Sequence, residues 1–348
     1  MIYWICNIYE EYSIQTLLTI ISQVLALGFL FAFVRTADDL NVYALITALA
    51  YSGSGLVLHF YARKFVRFRF CLKPDLSHMK RILIIFSTAI ASTIYISSDI
   101  TILNYFAGDR YTGLYSTSAN LYKIVKQLLN AIVAVVVPRF AFYLGTEQTE
   151  KLQELGSSLM KYMITICLPA MVGLFFLSRP IISVLVGPKF LEAEGSLKLL
   201  SIALIFAIFA NFFANCVLLA YRKEMIVMIA TIVSALVNII LNLILIPLFY
   251  DKAAAFTTIV AEVVMCAIVG YYANKEVRIR TDSYNIIPVA VGCAAVAGIC
   301  VFMIRALDSA LLILIIGIPV SVVVYGMLQI ALKNTVVVDL LKNRKGRK

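Results

Sequence analysis

The chain has 348 residues, 62% of them hydrophobic and 14% charged, with a formal net charge of +11. Soluble domains carry nearly twice that charged share, and the apolar residues here fall in long runs broken by short basic segments, as in a chain whose solvent is lipid. The positive charge sits mainly in those connecting segments, where it follows membrane topology rather than phosphate recognition, so no nucleic-acid partner is expected.

Met1 to Tyr12 has no lysine or arginine and carries Glu10 and Glu11, which argues against a signal peptide. Ten apolar segments then follow, each near the roughly 20 residues needed to cross a bilayer as a helix. In chain order they are Ile14–Val34, Leu40–Tyr61, Arg81–Phe106, Gly113–Val137 and Ser157–Leu177, then Ser196–Tyr221, Met225–Phe249, Ala253–Tyr272, Tyr284–Ile304 and Ala310–Leu332. The expectation is an all-α polytopic membrane protein with about ten spans. Alternate loops divide the 30 lysines and arginines into 21 on one side and 7 on the other, with Lys123 and Lys126 inside the fourth span. That bias places the richer side, with both termini, in the cytoplasm. No loop exceeds about twenty residues, too short for a separate catalytic domain, so an enzyme is not expected.

Seven cysteines form no CxxC pair, and His59 and His78 have no ligand spacing. No disulfide framework, metal site or cofactor is expected.

Polar residues within the spans are more informative, because lipid offers them no partners. In the fourth span Ser116, Asn120, Lys123, Gln127 and Asn130 recur at steps of four, three, four and three, which places them on one helix face with Lys126 beside them. Such a stripe lines a hydrated cavity or hydrogen-bonds a neighbouring helix; the two lysines favour the cavity, since packing alone satisfies them poorly. At about 1.5 Å per residue, Asp99 lies roughly 10 Å deep, Lys123 about 15 Å and Glu262 about 14 Å. Together they form a candidate buried ion network, structural or binding a proton or an anion. Asn211 with Asn215, and Asn238 with Asn242, are i, i+4 pairs of the kind that hold helices together, or line a cavity, in lipid.

From Tyr95 to Ile124 the sequence YISSDITILNYFAGDRYTGLYSTSANLYKI resembles Wzx-type polysaccharide (O-antigen) flippases of the MATE-like multidrug/oligosaccharidyl-lipid/polysaccharide exporter superfamily. Asp99, Gly113, Tyr115 and Ser116 fit the family's aspartate, short loop and glycine–hydrophobic–tyrosine–serine helix start. RPIISVLVGPKF (Arg179–Phe190) resembles an outer loop of that family, VNIILNLILIP (Val237–Pro247) its asparagine-bearing eleventh helix, and AAAFTTIVAE (Ala253–Glu262) the start of its twelfth. Two departures stand out. Phe249, Tyr250, Asp251 and Lys252 occupy a turn that the family usually makes glycine-rich, and WICNIYEEYS (Trp4–Ser13) is similar to the linker entering the family's fifth helix.

The resemblance implies a helical bundle of two six-helix lobes plus two terminal helices. On that frame residues 1–76 are a two-helix remnant of the N-terminal lobe, 77–273 a six-helix C-terminal lobe, and 274–348 two extra helices with a basic tail. Four helices of the first lobe are then expected in the DNA upstream. The implied function is the flipping of undecaprenyl-diphosphate-linked oligosaccharide across the bacterial inner membrane by alternating access, coupled to proton or sodium entry. A polysaccharide polymerase and glycosyltransferases are the implied partners. Asn120, Lys123, Lys126, Gln127 and Asn130 would line the substrate cavity, with Asp99 and Glu262 tuning or carrying the coupling ion. Alternatives are a drug or metabolite exporter of the same superfamily, a membrane-embedded sugar acyltransferase, and an inactive remnant.

Overall fold

The computed structural model describes residues 5, 6, 9, 11–36, 39–66, 79–277, 279 and 286–337, without the side chains of residues 51, 80, 81, 92, 95 and 96. The chain divides into two compact units, Met1–Leu76 and Ser77–Lys348. Several residues of the charge count, among them Arg67, Arg69, Lys73, Arg278, Arg280 and the tail from Lys342 onward, lie outside the described residues, as does His78.

In the first unit α1 (Tyr12–Phe33) packs on α2 (Leu40–Ala62). Their contact is small, built on Ala26, Ile46 and Ala50, and most of the remaining apolar side chains, such as Leu17, Ile20 and Val24, are exposed. That distribution suits helices bathed in lipid, where association depends on close packing of small residues rather than on hiding apolar surface. The turn into α2 is closed by Asp39, whose carboxylate accepts the backbone N–H groups of Arg35 (3.0 Å) and Thr36 (2.9 Å) and the Thr36 hydroxyl (3.0 Å). These donors hold the Asp39 carboxyl below its ordinary range.

The second unit is organised by two long hairpins. Met79–Gly145 is helical over 67 residues, which as a straight rod would be about 100 Å long, three times a bilayer core of about 30 Å. It breaks at Gly108, whose φ of 75° and ψ of −178° a residue with a Cβ rarely adopts. Tyr115 donates to Asp99 at 2.7 Å, although a straight helix would separate them by about 24 Å. The segment is therefore two antiparallel helices, α3 (79–107) and α4 (109–145). Glu224–Glu276 breaks in the same way at Tyr250 (φ 54°, ψ −129°). The hydrogen bond from Asn238 to Thr257 at 3.4 Å closes the second hairpin, formed by α8 (224–249) and α9 (251–276).

Between the hairpins come α5 (Thr149–Phe176), a short α6 (Ser178–Leu185), a 3-10 turn (Pro188–Ala193) and α7 (Glu194–Phe212), which continues as a π-helical turn, Phe213–Leu218. The chain ends in α10 (Ile286–Ala306) and α11 (Ala310–Ala331). Among the described residues there is no strand, and eight helices are long and apolar enough to cross a membrane. Two of these fold back on themselves, at Gly108 and Tyr250, so the described residues supply ten candidate crossings.

The segment carrying α7 has the largest buried share of any candidate span, 56%, which makes it the centre of the unit, packed against both hairpins and α5. Ala203, Ala207 and Ala210 of α7, with Ala253, Ala254, Ala255 and Ala261 of α9, are buried there and let backbones approach closely. The last two helices belong to the same unit: α10 packs on α11 and on α5. At their crossing Gly292 is obligatory, since a Cβ would fall 2.5 Å from Gln329 Nε2 and 2.6 Å from the Tyr325 ring. Gln329 uses the closeness to donate to the Pro288 carbonyl at 2.8 Å.

The structure is more helical than the hydropathy implies. Helix α4 runs past the predicted end at Val137 to Gly145, and α5 begins at Thr149 rather than Ser157. The segment Arg179–Phe190, expected as an outer loop, contains α6, an amphipathic helix that buries Ile182 and exposes Leu185. Too short to span, it escapes a search for apolar runs.

Candidate functional site

Two polar clusters lie within the second unit. The first surrounds Asp99, which is 3% exposed. Its Oδ2 accepts the Tyr115 hydroxyl at 2.7 Å and the Thr258 hydroxyl at 3.3 Å, while Oδ1 accepts Asn242 Nδ2 at 2.5 Å. Asn242 also donates to Asn238 Oδ1 at 3.0 Å and accepts the Thr257 hydroxyl. The hairpins make this possible: α4 returns Tyr115 to Asp99, and α9 brings Thr257 to the i, i+4 asparagines of α8 and Thr258 to Asp99. Every donor is neutral, and among the described residues no cation pairs with Asp99.

The second cluster centres on Lys126 of α4 and Glu262 of α9, paired at 2.6 Å with side chains 28% and 10% exposed. Both line a cavity of about 330 Å³, together with Asn130, Asn211, Asn215 and Ser234. Asn211 donates to Asn130 Oδ1 at 2.9 Å, and Asn215 donates to Asn211 Oδ1. A second cavity of about 600 Å³ shares these three asparagines, so the amide chain stands between the two spaces. The Ser234 hydroxyl is buried in the first cavity's wall with no hydrogen-bond partner among the described residues. Asn215 sits in the π-helical turn, a departure from α-helix that is frequent at functional sites.

The residues singled out in the sequence separate into three places. Lys126, Asn130, Asn211, Asn215 and Glu262 meet at the cavities. Asp99, Asn238 and Asn242 meet in the first cluster. Asn120, Lys123 and Gln127 are exposed on α4 and line neither cavity. The expected network of Asp99, Lys123 and Glu262 thus takes another form. Glu262 pairs with Lys126, because three residues rotate a helix position by about 60° and only Lys126 faces α9. Thr257 and Thr258 carry much of the first cluster and were not singled out. Their only signal was adjacency to an apolar stretch, which does not distinguish a buried hydroxyl from a lipid-facing one.

Comparison with known proteins agrees with this architecture. The solved lipid II flippase MurJ, in its inward closed conformation, superposes with a TM-score of 0.71 at 16% identity, covering 95% of this chain and 70% of that one. The all-helical fold is therefore shared. The probable low-salt glycan biosynthesis flippase Agl15 of Haloferax volcanii is 23% identical over 240 residues, 68% of this chain and 50% of that protein. The chain thus spans about half the length of that curated relative. The profile of the family described as polysaccharide biosynthesis protein matches residues 5–195. That is more than half of the sequence, and the chain belongs to this family of multi-pass membrane proteins.

Proposed function

We propose that this chain serves in flipping an undecaprenyl-diphosphate-linked oligosaccharide across the bacterial inner membrane, by alternating access, with both termini cytoplasmic. The observation that carries the reading is the Lys126–Glu262 pair in the wall of a polar intramembrane cavity, in a chain of the polysaccharide biosynthesis family. A lysine held in lipid needs a reason, and an anionic cargo group that competes with Glu262 supplies one. The three asparagine amides offer both donors and acceptors to sugar hydroxyls. Asn120, Lys123 and Gln127 extend the polar face of α4 and complete the cargo surface. Glycosyltransferases and a polymerase would act before and after this step.

The Asp99 cluster supports the coupling role. A buried carboxylate held only by neutral donors, two hydroxyls and one amide N–H, keeps an uncompensated charge, suited to a proton or a small monovalent cation entering from water. Deleting the gene should deplete surface polysaccharide and accumulate lipid-linked repeat units. Re-expression of Lys126→Ala at normal protein level should fail to reverse either change. A deletion strain with unaltered polysaccharide would sink the proposal.

A further inference from the structure

The loop end of the second unit gathers most of the few cations assigned to the sparsely basic side. A pocket of about 530 Å³ is lined there by Arg179, Lys198 and Lys252, with Glu192 and Glu194. Glu194 is shared by two cations, Lys198 at 2.6 Å and Arg179 at 3.5 Å. Glu192 is committed to Arg110, whose Nη2 reaches both carboxylate oxygens at 2.8 and 2.9 Å. Asp251 is buried and accepts the Ser196 hydroxyl at 2.5 Å. Lys252 makes no ion pair among the described residues. The pocket's cations therefore outnumber the carboxylate charge within their reach.

The position of Lys252 is built, not incidental. It follows Tyr250, whose φ of 54° is a conformation that a bulky L-residue rarely adopts. That backbone is held on one side by the Tyr111–Tyr250 ring stack, 4.5 Å between centroids and 16° from parallel, and on the other by the Ser196–Asp251 bond. The lysine stem then lies across Gly195, where a Cβ would come within 3.0 Å of Lys252 Cε. A glycine at 195 leaves room for that stem to cross the start of α7. Beside the pocket α6 exposes Val184 and Leu185, an apolar face of the kind that amphipathic helices lay on a membrane interface.

We propose that this pocket binds a phosphate or diphosphate group at the membrane interface. One guanidinium and two ammonium groups around a common space suit such an oxyanion, which accepts charge-assisted hydrogen bonds from several sides. The site stands on its own geometry and does not depend on the transport reading. It is tested with the full chain in phosphatidylcholine nanodiscs, by titrating inorganic pyrophosphate at low salt and, separately, by native mass spectrometry of retained phosphatidylglycerol. Lys252→Gln should weaken pyrophosphate binding about tenfold. Gly195→Ala, which displaces the Lys252 stem without removing a charge, should weaken it as well, while Lys189→Gln, at a cation outside the pocket, should leave it unchanged. Loss of phosphatidylglycerol retention alone in Lys252→Gln and Gly195→Ala would uphold the site and assign its phosphate to a membrane lipid. Absence of binding by either probe, or equal losses in Lys189→Gln and Lys252→Gln, would overturn it.

Discussion

Asp99 and Glu262 are both buried acids of the second unit, at 3% and 8% exposure, yet their surroundings differ in kind. Glu262 has a full counter-charge in Lys126 and an open cavity beside it. Asp99 has only neutral donors, drawn from three helices. An ion pair concentrates its compensation in one partner, so either member can be released when something charged arrives. A ring of dipoles distributes compensation and leaves net charge to be met by an ion or a proton. That contrast underlies the proposed roles, cargo contact for the first arrangement and ion coupling for the second.

Breaking the pair should have the largest effect on stability. Glu262→Gln strands the Lys126 ammonium in a largely buried site, at a cost of roughly 3 kcal/mol, read as a lowered melting temperature in detergent. Adding Lys126→Met to Glu262→Gln should recover most of the loss, and additive losses would show that the pair does not act as a unit. Next comes Asn242→Ala, which removes one charge-assisted donor from Asp99 and should cost about 2 kcal/mol. Asp99→Asn keeps the shape but removes the charge. It should abolish transport while leaving the protein folded, and wild-type transport by that variant would end the coupling role. Asn211→Ala interrupts a neutral amide chain and should cost only about 0.6 kcal/mol, a typical interhelical hydrogen bond in lipid.

A third acid sets the lower bound. Asp39 is half-buried at the turn between α1 and α2 and is stabilised by backbone donors. Its folded-state pKa is depressed, so the support it gives the turn is present above the ordinary value of 3.8 and lost as pH falls through the lowered one. A carboxyl-carbon NMR titration should place its midpoint below 3.8, and a midpoint at or above that value would contradict the capping geometry.

The long apolar helices were legible because lipid demands long apolar runs, but some ends were not: α4 and α5 extend beyond the runs that hydropathy marks. The stripe on α4 was legible as a period, but not as a site. Spacing fixes which residues share a face; it does not say which edge of that face meets another helix. That is why Lys126 and Asn130 reach the cavities while Lys123 and Gln127 remain exposed. The partner threonines and the π-helical turn were hidden for a different reason. A hydroxyl's value depends on what a folded-back hairpin delivers to it, and a π turn has no composition of its own.

That turn has a genetic reading. Within Phe213–Leu218 the helix holds i→i+5 bonds, as in Leu219 N–H to the Ala214 carbonyl at 2.9 Å, so one residue more than an α-helix needs is wound into the same height. Deleting a single codon between 216 and 218 would let the segment relax to ordinary α-helix and keep Asn211 and Asn215 facing Asn130. The same deletion between Leu199 and Ala210 would turn every residue on one side of it by about 100° relative to the other, taking the amides out of register with α4 or the buried alanines out of register with α9. Length variation in this helix should therefore be tolerated at the π turn and nowhere else along it.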